Sequence, residues 1–290
     1  MSWRIVEISS GSKLELKLNY LVVRNVEVVR KVFLPEIAIL IIDNTSVSMT
    51  ASLLCELSRN KVKIVFCDEK HNPYGELLPY YGTHDTVEKM RNQINWNVGT
   101  GLELWATIVR QKISKQRDVL YRRGFNERGR VLDSYICQIE KGDRTNREGH
   151  AAKVYFNTLF GNDFSRRDDS VINSALNYGY AILLSAFNRE ITAAGYLTQI
   201  GIFHDNVFNP FNLGSDLMES FRPIVDELVS AMNFEVFGPH EKRMMVEILN
   251  MNVCIGGKET VLLNAIRVYV QSFMASMENQ DPDRLIDYEV

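Results

Sequence analysis

The chain has 290 residues, 46% of them hydrophobic, and a formal net charge of −3. That apolar content supports a sizeable buried core and argues against disorder. The slightly acidic balance excludes a globally basic nucleic-acid binder, so any such contact must come from a local patch.

The opening MSWRIVEIS has no basic segment followed by an apolar one, so no signal peptide is expected. Up to about residue 80 the pattern is strand-like. KLELKLNYLVV, VEVVRKVFL and IAILIID are rich in β-branched residues and partly alternate. One helix, roughly Ser48 to Arg59, interrupts them before VKIVFCD resumes the strand signal. EKHNPYGELLP then supplies turn chemistry. After about residue 85 helical spacing dominates, through LELWATIVRQKISKQRDVLYRR, ERGRVLDSYICQIEKG, REGHAAKVYFNTLF and VINSALNYGYAILLSAFNREITAAGYL to KETVLLNAIRVYVQSFMASM. The expectation is an α+β protein with a small β-rich N-terminal domain, residues 1–85, and a larger all-α C-terminal domain, residues 86–290.

The longest apolar runs, such as Ile37 to Ile42, fall far short of the roughly 20 residues of a membrane span. Cys55, Cys67, Cys137 and Cys254 are scattered, with no C-x-x-C pair, and read as reduced core residues of a cytoplasmic protein. Charge is uneven. Arg110 to Arg130 holds eight Lys/Arg against Asp118 and Glu127, whereas Glu278 to Val290 holds five acids against Arg284. The acidic tail is expected either to fray into solvent or to dock on a basic partner subunit.

Three segments contain candidate chemistry. In His204 to Pro223, Ser215 is placed to cap a helix starting at Asp216. Asp216 and Glu219 would then share a face, with Arg222 one turn on. Spacing alone favours a surface acid–arginine pair. In NREGHAAKVYF, Thr145 and Glu148 fit a T-x-x-E capping box, again a structural task. His204 follows the apolar YLTQIGIF and by itself reads as a satisfied core or rim histidine. Other signals fail. CIGGKET lacks the first glycine of a phosphate loop, and no G-x-S-x-G or H-E-x-x-H occurs.

Taken together, NREGHAAKVYF, LNYGYAILLSA, AAGYLTQIGIFH and NPFNLGSDLMESFRPIVDELV resemble, in order and spacing, the CRISPR-associated integrase family, the universal spacer-acquisition subunit of CRISPR adaptation. Length and opening look most like the form found with a single large effector nuclease (type II). The resemblance implies that Glu148, His204 and Glu219 are catalytic metal ligands, with Asp216 a further catalytic acid nearby. Ser220 stands where many members have proline, a departure that bears on helix geometry rather than on the ligands.

The implied activity is metal-dependent. A DNA 3′-hydroxyl attacks a phosphodiester of a CRISPR array, and captured fragments are inserted. The carboxylates and imidazole suit Mg²⁺ or Mn²⁺. The substrate brings its own nucleophile, in keeping with the lack of a serine or cysteine motif. The implied partners are double-stranded DNA, a second copy through the β-rich domain, and the small ferredoxin-like adaptation subunit in a larger integration complex, with no membrane. In the basic stretch, Arg117, Arg122 and Arg123, then Lys112 and Lys115, are the candidates for DNA-backbone contact. The rival readings are a metal-dependent nuclease on branched DNA and a non-catalytic DNA-binding scaffold whose acids only cap helices.

Overall fold

Residues 4–26, 28–69, 71–77, 84–232 and 235–290 are described by a computed structural model. The first three residues of the opening segment and part of the turn segment around 70 and 78–83 lie outside them. Contacts divide the chain into one unit of Met1–Thr86 with Asn188–Tyr196 and another of Val87–Phe187 with Leu197–Val290.

The first unit is built from two sheets. Its strands are β1 (Arg4–Ile8), β2 (Lys13–Lys17), β3 (Tyr20–Arg24), β4 (Val29–Phe33), β5 (Ile37–Ile42), β6 (Ser48–Met49), β7 (Lys63–Cys67) and β8 (Pro73–Leu77). One sheet runs β1-β5-β7-β8 and the other β4-β3-β2-β6. Strand β5, IAILII, is buried at every residue, as a parallel strand flanked on both sides must be. KLELKLNYLVV is not one strand. It folds back at Leu18 and Asn19, both at positive φ, so that β2 pairs with β3. Helix α1 (Ala51–Arg59) starts three residues later than its apolar spacing suggests, because Ser48 and Met49 pair with β2 and the Thr50 hydroxyl caps Leu53 N–H at 3.3 Å. Leu53 and Leu57 of α1 enter the same apolar cluster as Leu14, Leu21, Leu40 and Ile64.

The second unit is largely helical: α2 (Thr86–Ile94), α3 (Val98–Arg122), α4 (Asn126–Ile136), α5 (Arg147–Phe160), α6 (Val171–Ala193), α7 (Asn212–Met218), α8 (Arg222–Ala231), α9 (Pro239–Glu247) and α10 (Leu262–Asn279). The last part of α6, from Asn188, groups with the first unit. Helix α3 is the axis, with α4, α5 and α8 packed on it. Trp105, Ile108, Val109, Ile113 and Leu120 form its fully buried stripe at 3–4-residue spacing.

The C-terminal part is not all-α. CIGGKET, read above only as a failed phosphate loop, is a hairpin of β9 (Asn252–Ile255) and β10 (Lys258–Val261). Gly256 and Gly257 take φ of 57° and 73°, the paired positive angles a two-residue hairpin turn needs. The end of the acidic tail does not fray. Its β11 (Tyr288–Glu289) pairs antiparallel with β9. The Tyr288 ring is fully buried and stacks on Phe221 with centroids 4.2 Å apart, while its hydroxyl donates to the Ser220 carbonyl at 3.0 Å. An aromatic anchor of this kind outweighs the solvation of the neighbouring acids.

Candidate active site

All of the candidate side chains lie in the second unit, and each is held by a different local device. Glu148 sits in the first turn of α5. The Thr145 capping box predicted above does not form. Asn146, at φ 51°, is the N-cap, and its side-chain oxygen accepts from Gly149 N–H at 3.2 Å. Asp143 takes the next two donors, Arg147 N–H at 2.9 Å and Glu148 N–H at 3.0 Å. With the orphan amides satisfied by neighbours, the Glu148 carboxylate is free of capping.

Glu219 opens a 3₁₀ turn, Glu219–Phe221, between α7 and α8. That turn is buried, and the Ser220 hydroxyl lies 3.3 Å from the Tyr269 hydroxyl. Glu219 is therefore not part of a surface pair. Its Oε1 meets Arg222 Nη2 at 2.9 Å, and its Oε2 meets Lys112 Nζ at 2.6 Å.

Asp216 is fully buried in α7, which begins at Asn212, so Ser215 is not its cap. The Asp216 carboxylate gathers the preceding loop. Ile202 N–H donates to it at 2.7 Å, Phe203 N–H at 3.2 Å and His204 N–H at 3.0 Å. His204 Nδ1 lies 2.6 Å from Oδ1. Gly201 makes this approach possible, since a Cβ there would meet Asp216 Oδ2 at 2.5 Å and the His204 carbonyl at 2.6 Å. The loop is clamped on its other side by Trp105, which stacks on Phe203 at 4.1 Å and meets the His204 ring edge-on at 5.7 Å. Fixing Nδ1 against a carboxylate leaves Nε2 as the ring's ligand atom, the arrangement that orients metal-binding histidines. The same hydrogen bond, against the effect of burial, holds the His204 pKa above its ordinary value.

Lys112 is at the centre. It was a candidate for the DNA backbone, but the structure buries it, with Nζ 2.6 Å from Glu148 Oε1 and 2.6 Å from Glu219 Oε2. Burial pulls its pKa down, and the attraction of Glu219 and Glu148 more than restores it, so the ammonium is held above the usual lysine value. For Glu219 burial pushes upward, and Arg222 with Lys112 outweighs it, holding the carboxylate ionised.

Behind this layer, Arg222 lies over the Tyr180 ring at 4.8 Å, and the Tyr180 hydroxyl donates to Asp226. Burial pushes the Asp226 carboxyl up to about 7. A raised carboxyl favours the folded state below its unfolded pKa, and that contribution fades as pH rises toward 7.

The remaining basic candidates are tied to acceptors. Lys115 Nζ meets Asp287 at 2.8 Å, and Arg117 meets Asp118 at 2.7 Å and Asp133 at 3.0 Å. Arg122 forks onto Glu227 at 2.8 and 2.6 Å, and Arg123 donates to the Glu227 carbonyl at 3.0 Å.

Sequence reasoning missed Trp105, Tyr180 and Asp226, and gave Lys112 to the DNA backbone instead of to the site. For Lys112 a signal existed: it falls on the Trp105–Ile108–Val109–Ile113 stripe, where a cation needs buried counter-charges. Among the described residues no three His, Cys, Asp or Glu side chains surround a common point as metal ligands. The donor set nonetheless suits a hard divalent cation. It has two carboxylates already converging on one positive charge and an imidazole oriented by a third. Glu148 and Glu219 would hold the ion, with His204 Nε2 completing the set.

The comparisons with known proteins bear on family and fold. The family "CRISPR associated protein Cas1" matches residues 5–235. The chain is 34% identical to the "CRISPR-associated endonuclease Cas1" of Neisseria meningitidis serogroup C (strain 8013) over 290 residues, covering 98% of this chain and 95% of that protein. It is 29% identical to a Francisella tularensis subsp. novicida (strain U112) protein of the same description, over 76% of this chain and 75% of that one. In fold it resembles a casposase bound to integration product, with a TM-score of 0.76 and 21% identity over 97% of this chain and 91% of that one. It also resembles a CAS1 protein from Thermotoga maritima, with a TM-score of 0.76 and 17% identity over 95% of this chain and 97% of that one. Four motifs in order, a full-length relative above 30% identity and a family match over most of the length lead to one statement: the chain belongs to the Cas1 family of CRISPR-associated proteins.

Proposed function

We propose that the chain is a metal-dependent DNA integrase and endonuclease of the type II form, which inserts captured DNA fragments into a CRISPR array. The observation that carries the reading is the meeting of Glu148 and Glu219 on one cation, each at 2.6 Å, beside His204 with its Nδ1 engaged. A bound Mg²⁺ or Mn²⁺ would supply charge stabilisation for the phosphoryl oxygens that become more negative as the 3′-hydroxyl attacks and a 3′-oxygen leaves. The protein's own groups position and neutralise. Glu148 and Glu219 hold the ion, His204 presents Nε2, and Arg222 keeps Glu219 ionised. Asp216 orients the imidazole. No side chain acts as nucleophile.

Support comes from the Neisseria relative, described as an endonuclease, and from the casposase, bound to its own integration product. A further fold neighbour is a chain of a Cas6-RT-Cas1–Cas2 complex, which matches 97% of this chain with a TM-score of 0.74. It supports assembly with a small ferredoxin-like adaptation subunit. For the proposed homodimer, edge strand β4 offers Val29 and Phe33, with Tyr20 and Val28 beside it, all exposed. Arg117, Arg122, Arg123 and Lys115 would reach DNA by exchanging their present carboxylate and carbonyl partners for phosphates, an exchange that high salt opposes. Lys112 would serve the site instead of the backbone. Among the described residues no helix is long and apolar enough to cross a membrane, and the proposed work on DNA is what assigns the protein to the cytoplasm.

A half-site integration assay tests this. The purified protein, with Mn²⁺ or Mg²⁺ and a DNA fragment ending in a 3′-hydroxyl, is expected to give a joined product. A 3′-deoxy end, chelator, or Glu148→Ala should each remove it. Cutting without joining would favour the branched-DNA nuclease, and wild-type activity in Glu148→Ala would remove the assigned chemistry.

A further inference from the structure

Lys112 is a buried ammonium in the space between two carboxylates that, on the functional reading above, hold a divalent ion. Its nitrogen lies 2.6 Å from an oxygen of each. A Mg²⁺ or Mn²⁺ ion bound to both oxygens would stand about 2.1 Å from each, and so no more than about 4 Å from that nitrogen. Two cations that close in a buried site repel strongly, because little solvent screens them. Meanwhile the cluster without a divalent ion is already balanced, with Lys112 and Arg222 facing Glu148 and Glu219. We infer that Lys112 is a resident counter-ion of the active site: its ammonium holds Glu148 and Glu219 together until a divalent ion takes its place, and it swings away as the ion enters.

The inference rests on the metal reading of Glu148, His204 and Glu219, yet makes a separate demand. Glu148 is the more open side of the pair, its side chain 25% exposed against 4% for Glu219. The ammonium therefore leaves past Glu148, on the four-carbon stem that gives lysine its reach. Arginine would not substitute, because its planar fork is too wide for a seat between two single oxygens. Lys112 is a positioning residue here, since it acts on the carboxylates.

Two measurements decide it. Calorimetric titration with MnCl₂, without DNA, compares wild type, Lys112→Met and Glu148→Gln. Removal of the competing charge should tighten Mn²⁺ binding in Lys112→Met by roughly tenfold or more, the equivalent of about 1.4 kcal/mol. A folded Lys112→Met that binds Mn²⁺ no tighter than wild type overturns the inference. Uptake by wild type that Glu148→Gln abolishes keeps the metal reading intact in that case. If neither wild type nor Lys112→Met takes up Mn²⁺, both readings fall together.

Because Lys112→Met leaves buried Glu219 and part-buried Glu148 without their shared cation, it can fail to fold, and the second measurement uses only wild type. Lysines are reductively methylated with formaldehyde and cyanoborohydride in chelator or in Mn²⁺, and modification at Lys112 is read by mass spectrometry. Protection in chelator and a several-fold rise in Mn²⁺ is the expected result. Equal modification in both overturns it.

Discussion

Glu219→Ala is expected to lower strand transfer by roughly 10³-fold, the scale seen when one group stabilising transition-state charge is removed. It should also destabilise the fold. Glu219 is buried and faces two cations, Lys112 at 2.6 Å and Arg222 at 2.9 Å. Deleting the shared anion takes the carboxylate from Arg222 and leaves Lys112 with Glu148 alone, and breaking a buried pair in this way typically costs about 3–5 kcal/mol. For a chain of this size that is a fall in Tm on the order of 10 °C. Two variants separate the effects. Glu219→Gln keeps the shape and one acceptor, so it should lose most activity while unfolding less readily than alanine. Glu148→Ala removes a more exposed carboxylate and should lose activity with a smaller shift in Tm. Thermal unfolding beside a strand-transfer assay checks all three. Near-normal activity in folded Glu219→Gln would remove it as a ligand.

The second large effect is expected at Asp216. Its carboxylate accepts three backbone N–H groups, from Ile202, Phe203 and His204, and engages His204 Nδ1. Asp216→Ala leaves these donors in a buried site, each unsatisfied group costing about 1–3 kcal/mol, so destabilisation of about 4 kcal/mol or more is expected. Asp216→Asn should be little better, because one oxygen becomes an NH₂ facing other donors. The wild type carries a further pH signature. His204 has its pKa raised chiefly by the Asp216 hydrogen bond. Stability from that bond is fully present below the unfolded pKa and is lost as pH rises through the folded one. The gap in Tm between wild type and Asp216→Asn should therefore narrow on going from acid to alkaline pH, though the backbone bonds keep it open. A pH-independent gap would remove the imidazole's share. Asp216 acts as the brace of the histidine loop, and its loss should weaken activity through misplacement of His204.

These expectations differ from those of spacing alone, for physical reasons. An i, i+3 acid pair before an arginine looks like a solvated helix start. It becomes a buried centre only because Phe221 and Ser220 pull the turn inward against Tyr269 and Tyr288, contacts that lie 48 to 68 positions away along the chain. The T-x-x-E box at Thr145 failed because Asn146 takes the left-handed backbone and Asp143 reaches the same amides from outside the motif. Glu148, His204 and Glu219 were legible only through four ordered motifs. Where Glu148 and Glu219 meet was not, since it depends on Lys112, a residue whose apolar neighbours on α3 were visible and whose counter-charges come from α5 and the 3₁₀ turn. In the β-rich unit the strands were plain from composition. Their breaks were not, because Leu18–Asn19 offers one turn residue, Asn19, without the glycine that marks a hairpin turn.

The most direct test of the account is a crystal of the metal-free protein soaked in MnCl₂, with the anomalous signal of manganese used to find the ion. The account predicts one strong peak about 2.1 to 2.2 Å from carboxylate oxygens of Glu148 and Glu219 and within ligand reach of His204 Nε2, with Lys112 Nζ displaced. A manganese ion bound elsewhere, or the three side chains still apart around a seated Lys112 at saturating metal, would contradict it.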